Sequence, residues 1–205
     1  MAKPAARRRA RTLTALLDEA LRIVEEHGLD GLTMAALAER MDYTTPALYR
    51  YFASKGALVA ELNRRVLSDV RGALSAAWEG AEGPLEAVAA TAAVLQELAV
   101  ERPDAFALVS LSLADPQLQV EEARPAHAPE LEAMVLALSA FIAEATAVGQ
   151  LGPGDPAHRA LQLLFGVLGV LQLRTLERFE ARIDSRALVL GLAHDLIEGW
   201  KKGAT

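Results

Sequence analysis

Residues 43–52 read YTTPALYRYF, and they contain Tyr43, Tyr49 and Tyr51, all three tyrosines of a 205-residue chain. With Phe52, four of the ten aromatic side chains (2 Trp, 3 Tyr, 5 Phe) fall within these ten positions. The hydroxyls of Thr44, Thr45 and the tyrosines both donate and accept hydrogen bonds, whereas Arg50 only donates. No nucleophile–base pair is among them, so the stretch suits recognition rather than bond breaking. Hydroxyls and a guanidinium on one surface match the oxygens of a phosphate backbone. The methyls of Thr45 and Ala47 match that of thymine.

The remaining sequence offers little other chemistry. It has no cysteine, which removes disulfides, thiolate metal sites and a Cys nucleophile and suits a reducing compartment. His27, His127, His158 and His194 stand far apart and form no HExxH spacing, so neither a metal nor a cofactor is expected. The longest apolar run, Leu163–Leu171, falls well short of the ~20 residues a membrane span needs. Asp18 and Glu19 cut short the apolar patch behind the basic start Arg7–Arg11, which argues against a secretory signal. A cytoplasmic protein without a membrane partner is the expectation.

Charge is unevenly spread. Residues 1–65 hold eleven Lys and Arg against eight Asp and Glu, a balance of +3, while the rest hold ten against nineteen, a balance of −9. A basic end on an acidic body points to a polyanion met by one part of the chain only. The basic start read alone is equally consistent with a solvated tail.

The elements that must position the tyrosine-rich stretch are helices. Ala, Leu, Glu and Arg dominate and strand signals are nearly absent, so an all-α fold is expected. A first helix runs from about Arg9 to His27, with Leu13, Leu16, Leu17, Ala20, Ile23 and Val24 on one stripe and Gly28 just past its end. Thr33 caps a second helix to about Met41. Asp42–Thr44 form a turn, and a third helix spans about Thr45 to Phe52. Ser54 then caps a long fourth helix towards Trp78. Helices two and three have the dimensions of a helix-turn-helix, welded by the inward pairs Leu37/Met41 and Leu48/Phe52. Beyond a Gly/Pro break at 79–86, helical stretches cover about 84–101, 103–114, 116–123, 129–148, 155–180 and 185–202, separated by Pro, Gly and Asp stop signals such as ARPAHAPE. The domains are expected at 1–60 and 61–205.

On this frame Thr45, Pro46, Ala47, Tyr49, Arg50 and Tyr51 remain outward, with Thr44 in the turn before them. Small residues at the helix start allow close approach to a groove floor, and Pro46 fits the first turn, where its missing N–H costs nothing. Tyr49, Tyr51 and Arg50 flank that edge and suit phosphate oxygens. Lys55 opens the fourth helix, where the macrodipole disfavours a cation unless an anion sits there too. Thr33 combines a capping role with a possible phosphate contact. The competing reading is that the tyrosines only pack a small domain.

The stretch LTMAALAERMDYTTPALYRYFASKGAL (32–58) resembles the DNA-binding module of the TetR family of bacterial repressors. Thr33, Ala38-Glu39, Leu48-Tyr49, Phe52, Ser54-Lys55 and Leu58 match its pattern, and Asp42 departs from the usual turn Gly, though Asp tolerates left-handed geometry. The resemblance implies that Thr45, Pro46 and Ala47 face bases while Tyr49, Tyr51 and Lys55 hold phosphates. It further implies a DNA-binding three-helix domain joined by the long fourth helix to a helical effector-binding and dimerisation domain.

The second half has no motif of comparable specificity. The stretch 160–173 is apolar nearly all round, and Leu188, Leu192 and Leu196 form an i,i+4 stripe. This excess, with Phe165 and Leu168, suits a homodimer interface or an ordinary core. In the TetR family the last two helices pair with their twins, and a two-fold dimer would meet a palindromic operator on double-stranded DNA. Family members also bind a small effector between the middle helices. Here Gln96 and Ser110 are isolated polar residues among Ala, Leu and Val, and Phe106 and Phe141 are the only aromatics, so a neutral, apolar effector is expected. A transcriptional repressor, not an enzyme, follows. The alternative is an all-helical small-molecule binding or scaffold protein that does not act on DNA.

Overall fold

The computed structural model describes residues 4–103, 105, 106, 108, 124–177, 180 and 183–202. Every regular element among them is helical: α1 (Pro4–Gly31), α2 (Met34–Arg40), α3 (Thr45–Leu48), α4 (Lys55–Glu79), α5 (Pro84–Glu101), α6 (Arg124–Ala147), α7 (Pro156–Leu171), α8 (Arg174–Glu177) and α9 (Ser185–Lys201). The expected stretch 116–123 and Ser110 lie outside the described residues. The chain divides into two compact units, Met1–Val66 with Asp104–Ala128, and Leu67–Pro103 with Pro129–Thr205.

In the first unit α1 begins earlier than the apolar stripe requires. The Ala- and Arg-rich run behind Pro4 has high helix propensity, and proline is tolerated where the first N–H lacks a partner. The helix breaks at Gly28, whose φ of 69° is a left-handed conformation that glycine adopts at little cost. Leu16, Leu17, Ala20, Ile23 and Val24 form the buried face of α1. They join Leu37, Leu48, Phe52, Leu58 and Leu108 in one core, with Met41, Tyr43 and Tyr51 packed against it.

In the second unit α5, α7 and α9 pack against one another. Buried Val88, Leu95, Leu138, Ile142, Leu163, Val167 and Val189 contribute to the unit's core. Buried Trp78 donates its indole N–H to Thr91 Oγ1 at 3.0 Å and tilts against Phe141 at 5.6 Å between ring centroids. The loop before α7 is held by Arg159, only 6% exposed. Its guanidinium donates to the carbonyls of Gly152 at 2.8 Å and Pro153 at 3.0 Å and lies 5.5 Å from the Trp200 ring centre.

Three further boundaries differ from the sequence-based expectation. ARPAHAPE does not interrupt the chain, because α6 runs through from Arg124 and carries Pro129 inside it. The stretch 155–180 contains α7 and a separate single turn, α8. Glu177, at the end of that turn, accepts the backbone N–H of Ser185 at 2.6 Å and so satisfies a free donor at the start of α9. A hydrogen bond with the Ser185 side chain, and then this backbone one, hold the Glu177 carboxyl below the usual range. The third helix is shorter than 45–52, and its end belongs to the site.

Candidate nucleic-acid interface

Thr33 has extended backbone and its Oγ1 accepts the Ala36 N–H at 3.0 Å, an N-cap that starts α2. The turn that follows depends on Asp42, with φ 56°, and closes through Tyr43 N–H to Ala38 O at 2.8 Å. Asp42 thus adopts the left-handed geometry that Gly commonly supplies. Thr44 precedes α3 without a side-chain cap bond. After Leu48 the chain tightens: the N–H groups of Tyr51 and Phe52 both donate to Leu48 O, at 2.8 and 3.0 Å. This tight bend delivers Phe52, 3% exposed, to the core beside fully buried Leu48 and Leu37. Ser54 Oγ accepts the Ala57 N–H at 3.0 Å and starts α4.

The proposed recognition residues stay at the surface around these anchors. Thr33, Thr44, Pro46, Tyr49, Arg50 and Lys55 are exposed, and Thr45, Ala47 and Tyr51 are half-buried. The tyrosines divide their roles. Tyr49 is 52% exposed, while the rings of Tyr43 and Tyr51 pack on the core and account for part of the aromatic concentration. Lys55 is also structural, because its ammonium donates to Leu29 O at 3.2 Å, just beyond the Gly28 break.

Ion pairs fix the helix-turn-helix to its supports. Arg40 of α2 pairs with Glu19 at 3.2 Å and also with Glu26, both on α1. The Arg40 hydrogen bond holds the Glu26 carboxyl below the usual range, and the two carboxylates raise Arg40. Arg65 of α4 meets Asp18 at 2.7 Å and donates to Thr14 O at 3.3 Å. A surface network of this kind sets orientation more than stability.

Beside Arg50 and Tyr51, this surface includes residues to which the sequence assigned no role. Ala5, Arg8, Arg9, Thr12, Tyr43, Arg50 and Tyr51 line a cleft of about 470 Å³. Arg9 donates to Arg50 O at 3.1 Å and stands 5.5 Å from the Tyr51 ring centre. The signal available in sequence was the run Arg7–Arg11 itself, once read as helix rather than as a tail.

Elsewhere the expected residues scatter. Gln96 is 5% exposed and its Oε1 lacks a hydrogen-bond donor among the described residues, Phe106 is half-buried, and Phe141 packs on Trp78. Phe165 and Leu188 are 49% and 44% exposed, while Leu168, Leu192 and Leu196 are half-buried. Among the described residues no group of three or more His, Asp or Glu side chains could hold a metal ion. No helix of those residues is long and apolar enough to cross a membrane.

Comparison with known proteins bears on this geometry. The family described as bacterial regulatory proteins, tetR family, matches residues 16–62, which include the whole helix-turn-helix. The HTH-type transcriptional regulator BetI of Burkholderia cenocepacia is 32% identical over 193 residues, covering 89% of this chain and 90% of that protein. BetI of Agrobacterium fabrum is 37% identical over 76 residues, and that match spans only 37% of either chain. Among solved structures, the fatty acid degradation regulator FadR from Bacillus halodurans shares the fold at TM-score 0.72 and 15% identity, over 90% of this chain and 97% of that one. A TetR-family transcriptional regulator from Streptomyces coelicolor does so at TM-score 0.71 and 19% identity, over 98% and 97%. The chain therefore belongs to the TetR family of helix-turn-helix transcriptional regulators, which are not enzymes.

Proposed function

We propose that this regulator is a homodimeric repressor that holds a palindromic operator through α3 and lets go when a small, largely apolar effector binds. The observation that carries the DNA reading is the surface edge from Thr44 to Tyr51, held outward by buried Leu48 and Phe52. Thr45, Pro46 and Ala47 form its leading edge for base contact, and Thr44, Tyr49, Arg50, Tyr51 and Lys55 supply phosphate donors, with Thr33 at the start of α2.

A second copy is the best occupant for the apolar face on α7 and α9. Leu161, Phe165 and Leu188 are all more than 40% exposed. Gly169 and Gly191 sit inside these helices, and an added Cβ at either would meet nothing beyond its own helix within 4 Å among the described residues. Helix-interior glycine costs about 1 kcal/mol relative to Ala, and open space beside an apolar face gives that cost a use when another helix packs there. Two-fold pairing then presents two copies of α3 to one palindrome.

For the effector, Gln96 supplies a buried acceptor without a donor among largely apolar helices, which fits a neutral ligand with one hydrogen-bond donor. Phe141, in the same unit as Gln96, is a candidate to line its site. To reverse operator occupancy from 99:1 to 1:99 the ligand must favour the non-binding state by about 5.5 kcal/mol.

The test is selection of genomic fragments on the purified dimer, followed by fluorescence anisotropy across a salt series. Lys55→Gln should weaken selected and unrelated duplexes alike and lower the salt slope by about 0.9, the share of one phosphate. Thr45→Ala should narrow the ratio between them. Failure to retain any fragment at low salt without added ligand would overturn the reading.

A further inference from the structure

The cleft between the start of α1 and the exit of α3 stands apart in its electrostatics. Arg22, Arg40, Arg64, Arg65, Arg71 and Arg102 each meet a carboxylate within 3.2 Å. The cleft gathers Arg8, Arg9 and Arg50, and no acidic side chain lines it among the described residues. Three like charges in one concavity repel one another unless an anion joins them.

The three arginines are not equivalent. Arg9 is committed within the protein, with its guanidinium on the Arg50 carbonyl and above the Tyr51 ring. Arg50 uses only its Nε internally, towards Ala47 O at 3.5 Å. Arg8 has no side-chain partner among the described residues. Neither does the hydroxyl of Tyr43, whose ring is fixed against the core. A fixed base and wall with free guanidinium and phenol donors at the rim is the donor set of a phosphate site.

We propose that this cleft binds a phosphate group, and that its natural occupant is an operator backbone phosphate lying outside the α3 edge. Arg8 and Arg50 supply the charged donors and Tyr43 a neutral one. Arg9 is a positioning residue that holds the exit of α3 in place before the anion arrives. The basic start of α1 is then a third wall of the interface, not a solvated tail. The assignment to DNA rests on the function proposed above; the affinity for phosphate does not.

The experiment pairs two titrations on the full chain. In the first, Arg8→Gln, Tyr43→Phe and the control Arg22→Gln are titrated with a selected operator fragment from low to high salt. Arg8→Gln should lower the slope of log K against log salt by about 0.9 and cost roughly eightfold near 0.1 M salt, the contribution of one contact. Tyr43→Phe should cost less and keep the slope, and Arg22→Gln should change neither. Arg8→Gln should melt as the wild type does, since the Arg8 side chain holds nothing among the described residues. In the second titration, inorganic phosphate is added without DNA at constant ionic strength and followed by NMR shifts of the Tyr43 and Tyr51 rings.

A slope change with only weak phosphate binding assigns the cleft to the DNA backbone. Saturable phosphate binding that Arg8→Gln abolishes, with the DNA slope unchanged, assigns it to a free phosphate instead and overturns the DNA assignment alone. If the wild type binds no DNA, the phosphate titration still decides the site, so the two readings fail separately. No slope change and no ring shifts would overturn the proposal.

Discussion

The two compact units leave different things uncovered. The first presents hydrogen-bond donors: Arg8 and Arg50 without a carboxylate among the described residues, the Tyr49 ring at the surface, and Lys55 at the head of α4. The second presents hydrocarbon: Leu161, Phe165 and Leu188, interleaved with open glycines on α7 and α9. Water satisfies bare donors at small cost, so the first surface can stay open until a polyanion arrives. Exposed apolar surface costs about 25 cal/mol per Å² for as long as it is wet, so the second calls for a lasting cover. One surface fits a reversible partner, the other a permanent one.

The contrast can be broken most forcefully at the apolar face. Phe165→Glu combined with Leu188→Glu should yield monomers in sedimentation. Operator affinity should fall by about 10²–10⁴-fold, because two linked reading heads become two independent ones. Retention of full affinity by a monomeric double variant would show that the two surfaces are not coupled in this way.

The next effect lies inside the second unit. Arg159→Ala should lower stability by about 2–3 kcal/mol, read from the urea midpoint, because two carbonyls lose a charged donor and the Trp200 ring loses its neighbour. Arg159→Lys should recover only part of this, since an ammonium cannot span both carbonyls as the planar fork does.

Smaller, and sharper for the comparison, is Thr33→Ala. Loss of the cap on α2 should cost about 1 kcal/mol of stability. If capping is its whole role, the salt slope of DNA binding stays at the wild-type value.

The smallest expected effect is a pH dependence. The Glu26 carboxyl is held below its ordinary value by Arg40, so its stabilisation is complete above the unfolded value, about 4.3. It should vanish as pH falls through the depressed folded value. Glu26→Gln should therefore be slightly less stable than wild type at pH 7, with the two thermal midpoints converging below about pH 4.

Much of the first unit was legible because its residues have jobs that differ in kind. Thr33 as a cap, Asp42 in a left-handed turn, and Leu37, Leu48 and Phe52 as the inner weld each follow from local rules, and each appears as expected. The length of α3 was not legible. A tight bend after Leu48 places Phe52 inward, and no Gly or Pro among residues 49–51 marks that bend. The start of α1 was missed for the opposite reason: a run of arginines reads as a tail until the partners of Arg9, forty-one residues on at Arg50, are known. In the second unit, Leu and Ala fill core and surface alike, so pattern alone could not separate buried Val167 from exposed Phe165. A Pro signal also misled at Pro129, which α6 accommodates within its length.

The bond from Lys55 to Leu29 fastens the two ends of a segment that contains all of α2 and α3. It works as a clasp on the reading head. An ammonium has three protons to give and this bond takes one, so the clasp can stay shut while the same group holds an anion. A head already closed loses little conformational freedom on meeting its target, and more of the gross contact energy then appears as affinity.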